Sequence, residues 1–194
     1  MMDRPLSAEE QRRRLRLRVA AKLMVGFAIL CLLYVLAAQV FTGGGATPAM
    51  PTLRVATADL LPGESRVISW EDRPVLLYRR RVEDIAQLRS PDDRLRDASS
   101  RQSKQPDEYR DDLRSASPEL YVAIALGTDL GCPVSFLPAE RAQFQGGPWT
   151  GGFIDSCRKS RYDLAGRVYR SQYADRNLVV PRYVLEGDTL ILGR

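Results

Sequence analysis

Few side chains in this sequence can do covalent or metal chemistry. It has no histidine and three cysteines, Cys31, Cys132 and Cys157. Without imidazole there is no Ser-His-Asp triad and no histidine-bearing zinc site. The serines and aspartates are scattered and form no set of nucleophile, base and orienting group. The chain therefore reads as a non-enzyme. Cys132 and Cys157 leave two chemistries open. They are either a disulfide closing a loop of about 25 residues, worth ~3–4 kcal/mol on the loop-entropy model, or two free thiols that never meet. Cys31 lies inside an apolar run and reads as a small hydrophobe.

The elements that must position these cysteines begin with an anchor. Residues 1–22 carry seven basic side chains (Arg4, Arg12, Arg13, Arg14, Arg16, Arg18, Lys22) against Asp3, Glu9 and Glu10, and so hold +4 of the net charge of +5. The remainder is nearly neutral and lacks the basic stripe with interleaved aromatics that nucleic-acid binding requires. The apolar run Leu23–Phe41, extended back through Val19, nearly spans a ~30 Å hydrocarbon core at about 1.5 Å per residue, and Lys22 can snorkel at its end. A retained transmembrane helix over 19–41 is preferred to a cleaved signal peptide. Signal cores are shorter, and the one cleavage-like stretch, Ala46-Thr47-Pro48-Ala49, carries a proline. Positive-inside orientation puts a basic segment, 1–18, in the cytoplasm and everything after Thr42 across the lipid bilayer. Both downstream cysteines then face an oxidising compartment, where a disulfide can persist.

Residues 42–52, with Gly43-Gly44-Gly45, read as a flexible linker. From Leu53 onward the pattern is of short strands with turns between them: 53–56, 66–70, 73–79, 120–126, 167–170, 178–180, 183–185 and 189–192. Strands this close leave no room for crossover helices, so the sheets are expected to be antiparallel. Residues 82–118 break the pattern with sparse apolar positions among Asp, Arg, Ser and Gln. They read as one or two short helices and a mobile polar loop with a solvated charged face.

Two segments carry a resemblance. Gly127-Thr128-Asp129-Leu130-Gly131-Cys132 is similar to the Cys-Thr-His-Leu-Gly-Cys box of the Rieske iron–sulfur subunits of cytochrome bc1-type complexes. Asp155-Ser156-Cys157-Arg158-Lys159-Ser160, leading to Tyr162-Asp163, is similar to that family's Cys-Pro-Cys-His-Gly-Ser box. The resemblance runs from about residue 53 to the C-terminus. It implies an all-β, Rieske-like antiparallel β-sandwich domain over 53–194, with the polar insertion at 82–118 and boxes at 127–132 and 155–160. A single transmembrane α-helix precedes it.

The resemblance also implies a Cys132–Cys157 disulfide, favoured as a structural bridge over a thiol–disulfide exchange pair because the cysteines are expected to be buried. The four iron-ligand positions hold Gly127, Asp129, Asp155 and Arg158. A Rieske [2Fe–2S] centre needs two thiolates and two imidazoles, so no cofactor is expected. Asp129 and Asp155 would stand near each other, and an ion pair with Arg158 is preferred to a metal site. Ser160 and Tyr162, which bond the cluster and its ligand in the family, read as fold residues. The family's Gly-Pro-Ala-Pro cover loop is replaced by Ser171-Gln172-Tyr173-Ala174-Asp175, without prolines. Arg158, Lys159 and Arg161 make a basic tip, read first as a solvated loop and second as a steering surface for an acidic partner such as a c-type cytochrome.

The functional expectation is a cluster-free accessory subunit of a respiratory complex or supercomplex. It would sit in the bacterial inner membrane with its β domain in the periplasm, and bind cytochrome b, cytochrome c1 or oxidase subunits. The alternatives are a membrane-tethered assembly factor for such a complex and a redox or metal protein with a non-Rieske centre.

Overall fold

The computed structural model describes residues 8–42, 51–141 and 149–193. The chain divides into two units, Met1–Ala49 and Met50–Arg194. In the first, helix α1 runs over Ala8–Thr42, 35 residues or ~52 Å. Its mean hydropathy reaches 2.4, long and apolar enough to cross a membrane. The helix does not wait for the apolar run: Ala, Glu, Gln, Arg and Leu are strong helix formers, and Glu9 and Glu10 complement the positive end of the helix dipole. Helix thus extends through most of the basic segment expected at 1–18. Linker residues 43–50, the cleavage-like stretch 46–49 and residues 1–7 lie outside the described residues.

Among its described residues the second unit has nine strands: β1 (Leu53–Ala56), β2 (Ser65–Trp70), β3 (Arg73–Arg79), β4 (Leu120–Ile124), β5 (Val134–Leu137), β6 (Gly152–Asp155), β7 (Arg161–Tyr162), β8 (Tyr183–Glu186) and β9 (Thr189–Leu192). They form three antiparallel sheets in the orders β1-β9-β8, β2-β3-β4 and β5-β6-β7. β2 and β3 meet in a tight hairpin, with Trp70 opposite Arg73 across Glu71-Asp72, both at positive φ. β8 and β9 close similarly around Gly187-Asp188.

Val75, Leu76, Leu77 and Tyr78 of β3 and all five residues of β4 are buried on both faces, which makes these two strands the centre of the core. The third sheet docks on them through aromatic rings. Phe136 stacks on Tyr78 with centroids 4.8 Å apart, and Phe153 packs against Tyr121 at 5.6 Å.

Three expectations need correction. β5, β6 and β7 lie between and after the two boxes, where the sequence reading placed no strand; their short runs are hidden among glycines and prolines. Residues 167–170 and 178–180 are not strands. Val168 and Tyr169 make only isolated bridges to Tyr162 and Leu95, and the Val168 N–H donates to the Asn177 side chain at 2.9 Å.

Segment 82–118 is a packed wrap rather than a mobile loop. It begins with helix α2 (Val82–Leu88), whose first turn is tied by Asp84 accepting from the Arg81 N–H at 2.9 Å and the Tyr78 hydroxyl at 2.8 Å. Asp84, Asp97 and Arg114 are buried, contrary to the solvated face expected of this segment. The Asp97 carboxylate accepts from Arg101 N, Gln102 N and Ser103 Oγ at 2.8–3.0 Å. Arg114 reaches three main-chain carbonyls of the segment after the second box, Ala165, Gly166 and Leu178. Arg80, on the strand side, donates to Leu113 O, Pro118 O and Leu164 O. Burial pushes the Arg80 guanidinium down to about 10, still ionised at neutral pH.

Candidate functional site

The β4–β5 connection and the β6–β7 connection lie side by side. The first, 127–132, is a closed turn: Gly127 N donates to Cys132 O at 2.8 Å and Gly131 N to Gly127 O at 3.0 Å. Gly131 supplies the left-handed backbone this needs, φ 69°. Thr128 ties the loop outward through its hydroxyl, which donates to Arg176 O at 2.6 Å.

The second loop, 155–160, is built around one carboxylate. Asp155 is fully buried, and it accepts from Cys157 N at 3.0 Å, Arg158 N at 2.8 Å and Ser160 N at 2.7 Å. Three main-chain donors on one anion make strong charge-assisted bonds. The carboxylate is thereby spent on its own loop, so it does not join the tip ion pair or partner contact expected of it.

A disulfide joins the loops, Cys132 to Cys157, with Cα atoms 6.0 Å apart. Contrary to the expected burial, Cys157 is exposed and Cys132 half-buried.

The remaining ligand positions are filled in other ways. A Cβ on Gly127 would sit 3.2 Å from Asp155 Cβ and 3.4 Å from Asp129 Oδ1, so the two loops have closed over the space between these positions. The Asp129 side chain is 10% exposed, and neither oxygen has a hydrogen-bond partner among the described residues. Its compensation is ionic: Arg158 Nε stands 3.9 Å from Oδ2. Arg158 also lies over the ring of exposed Tyr173, 4.9 Å from its centroid. Tyr173 belongs to the segment in the cover-loop position, a contact whose only sequence signal is an aromatic replacing a small or proline residue.

Ser160 and Tyr162 are engaged with the protein itself. Ser160 Oγ accepts from Ala174 N at 3.1 Å, and the Tyr162 hydroxyl accepts from Thr128 N at 3.3 Å. Burial raises the Tyr162 phenol above its ordinary pKa, against the lowering effect of the Thr128 bonds.

The basic tip is smaller than expected. Lys159 is exposed and folds back to Ser156 O at 2.8 Å. Arg161 does not belong to the tip. It is half-buried in β7, its guanidinium 5.3 Å from the Trp149 ring centroid. The exposed face of the two loops therefore presents Leu130, Cys157, Arg158, Lys159 and Tyr173.

A [2Fe–2S] cluster does not fit these residues. Gly127 offers no donor atom, Asp155 is saturated by main-chain N–H groups, and Arg158 is a cation. Among the described residues no group of three or more His, Cys, Asp or Glu converges as a metal site. Of the two carboxylates at these positions, Asp129 keeps unfilled acceptors, and it is a single ligand.

No family model matches the chain. It is 40% identical over 133 residues to the ubiquinol–cytochrome c reductase iron–sulfur subunit of Allochromatium vinosum, covering 69% of this chain and 64% of that protein. It is 32% identical over 146 residues to the mitochondrial cytochrome b–c1 complex subunit Rieske of Schizosaccharomyces pombe, covering 75% of this chain and 55% of that one. The chain thus spans less than two thirds of either relative's length. Among solved structures, a hyperthermophilic respiratory complex III chain aligns over 89% of this chain and 98% of its own, with 16% identity and a TM-score of 0.42.

Proposed function

We propose that this chain, similar to the Rieske iron–sulfur subunits of bc1-type complexes, is a cluster-free, membrane-anchored component of a respiratory complex that acts by protein–protein binding. The observation that carries this reading is the state of the two loops. Their turns and the link between them are intact, while the four ligand positions hold a glycine, a carboxylate saturated by its own loop, a cation, and a lone carboxylate paired with that cation. A shell kept in register without its redox centre is a binding surface rather than an electron carrier.

Helix α1 would hold it in the bacterial inner membrane as a single span, basic end in the cytoplasm and β domain in the periplasm. The neighbours it would contact are the integral subunits of a bc1-type complex or a terminal oxidase, or of a supercomplex joining the two. The tip supports a partner different from a quinol pocket. Burying Arg158 and Lys159 in an apolar site would strand charge, whereas an acidic surface, such as that of a c-type cytochrome, would accept them.

The test is recovery of the full-length chain from native membranes in mild detergent by a C-terminal tag. Stoichiometric haem-bearing subunits are the expected result. Recovery alone overturns the reading, and substoichiometric recovery with an immature complex replaces it with an assembly factor. Incubation of the purified chain with ferrous iron and sulfide is expected to leave it colourless; a Rieske-type absorption and EPR signal would restore the electron-transfer role.

A further inference from the structure

The bridge between the two loops is placed where a bond serving only to hold the fold has no need to be. Cys157 is exposed at the tip, with Cys132 half-buried behind it. Neither loop depends on the bond for its shape. The first is closed by Gly127 N to Cys132 O and Gly131 N to Gly127 O, and anchored by Thr128 to Arg176 O. The second is closed by the three main-chain bonds to Asp155, by Asp155 N to Ser160 O at 3.1 Å and by Ser156 N to Pro133 O at 2.9 Å. The last of these already ties the loops together beside the disulfide.

The two residues after Cys157 are Arg158 and Lys159, both exposed cations. Cationic neighbours favour a thiolate over a thiol and make the sulfur a better leaving group.

We propose that Cys132–Cys157 is an exchangeable redox pair, opened by a dithiol reductant at Cys157 and re-formed without unfolding the domain. A thiolate of the reductant attacks the exposed Cys157 Sγ. The Cys132–Cys157 bond breaks, and Cys132 departs with the electron pair and takes up a proton. The reductant's second thiol, losing its proton, then attacks the reductant sulfur of the mixed disulfide. Cys157 leaves as a thiolate and is protonated according to pH. Two electrons pass from the dithiol to the bridge, which ends as two thiols while the reductant ends as a disulfide. Oxidation runs the same steps backwards. The consequence is a tip whose two loops are linked or unlinked according to the redox poise of its compartment, independently of which complex the chain joins.

The experiment uses the full-length chain in detergent with Cys31→Ser, equilibrated across reduced-to-oxidised ratios of a small dithiol. Thiols are counted by maleimide mass increments, and the near-ultraviolet circular dichroism of the buried tyrosines is followed in the same samples. Two thiols are expected to appear together while the near-ultraviolet signal persists, and to vanish on reoxidation. Thiols that appear only as that signal collapses would make the bridge structural and overturn the proposal.

A second reading separates chemistry from fold. In the reduced protein, Arg158→Gln with Lys159→Gln is expected to slow alkylation of Cys157 at neutral pH by at least about threefold and to move its pH midpoint upward. An unchanged rate and midpoint would show that the cations do not activate the thiol, and that result too would overturn the proposal.

Discussion

Arg158 Nε stands 3.9 Å from Asp129 Oδ2, within reach for neutralisation and beyond hydrogen-bonding distance. The pair is asymmetric. Asp129 is nearly buried with unfilled acceptors, while Arg158 is half exposed and rests on Tyr173. Removing the cation therefore costs more than removing the anion. Arg158→Ala is expected to lower the stability of the domain by roughly 1–2 kcal/mol, because a mostly desolvated carboxylate loses the countercharge beside it. Asp129→Asn is expected to be neutral or mildly stabilising, and to rescue Arg158→Ala when the two are combined. Thermal melts of the four proteins give the cycle. An Arg158→Ala melt that matches the wild type would dispose of the pairing.

Asp155 holds its loop with both oxygens. In Asp155→Asn one oxygen can still accept from Cys157 and Arg158, but the amide NH2 would face the buried Ser160 N–H. A loss of roughly 2–3 kcal/mol is expected, from one missing charge-assisted bond and one orphaned donor. The close approach of the two loops predicts that placing cysteines at positions 127 and 155 and histidines at 129 and 158 will not build a cluster. The Cβ on residue 127 would already touch the Cβ on residue 155 at 3.2 Å. Iron binding by that fourfold variant, measured by metal analysis and EPR, is the check.

The sequence reading reached the two boxes because they are short, local and spaced by a recognisable pattern. The pairing of Cys132 with Cys157 is legible through the resemblance that the boxes carry, whereas the residue types alone leave two free thiols open. The partner of each charge is not legible. That Arg158 meets Asp129 and Tyr173 while Asp155 turns to its own backbone depends on two loops 23 or more residues apart meeting in space. No periodicity encodes that. The burial of the polar insertion is hidden in the sequence for a related reason. Asp97 and Arg114 look like solvated charges in one dimension. Asp97 becomes a core residue by accepting from Arg101 N, Gln102 N and Ser103 Oγ, and Arg114 by donating to main-chain carbonyls far along the chain, those of 165, 166 and 178. Strands β5–β7 escaped because two- and four-residue strands beside glycine and proline carry too little alternation to stand out.

The buried tyrosines set the alkaline limit of the fold. Burial, opposed by nearby Arg114 and Arg80, raises the Tyr121 phenol to about 12, and burial also holds Tyr78, Tyr169 and Tyr183 above their ordinary value. A folded pKa above the unfolded one means the native state holds the proton more tightly. The stabilisation is complete below roughly pH 10, the unfolded value, and is lost as pH rises from there through the folded values. Melting temperature is expected to be flat up to that point and then to fall steeply, with tyrosinate absorbance rising in step with unfolding. On the acid side, the hydrogen bond from Arg94 lowers the Asp92 carboxyl. Its contribution is present above about pH 4 and is lost as pH falls through the depressed folded value. Tyrosinate absorbance that rises fully before any loss of circular dichroism would contradict the buried placement of these rings.

Arg114 gives the strongest single-residue prediction, because it is fully buried and its guanidinium works as a hub. It donates to Ala165 O at 2.9 Å, Gly166 O at 3.2 Å and Leu178 O at 2.7 Å, and its Nε donates to the Gln105 side chain at 2.6 Å. Beside it Gly166 has φ 67°, and a Cβ there would collide with Tyr121 Oη, so the turn at 165–166 is close-packed against the core. Arg114→Leu keeps the volume and strands Ala165 O and Leu178 O, each costing about 1–3 kcal/mol when unsatisfied, while Gly166 O still accepts from Leu178 N. The expected result is a domain that does not fold at ambient temperature. Arg114→Lys supplies one point charge in place of a planar fork; it is expected to fold with a loss of at least about 2 kcal/mol. Chemical denaturation of the lysine variant measures this. A stability equal to the wild type would mean that the polar insertion merely covers the β domain, whereas the predicted loss would establish it as part of the core that holds the two loops in place.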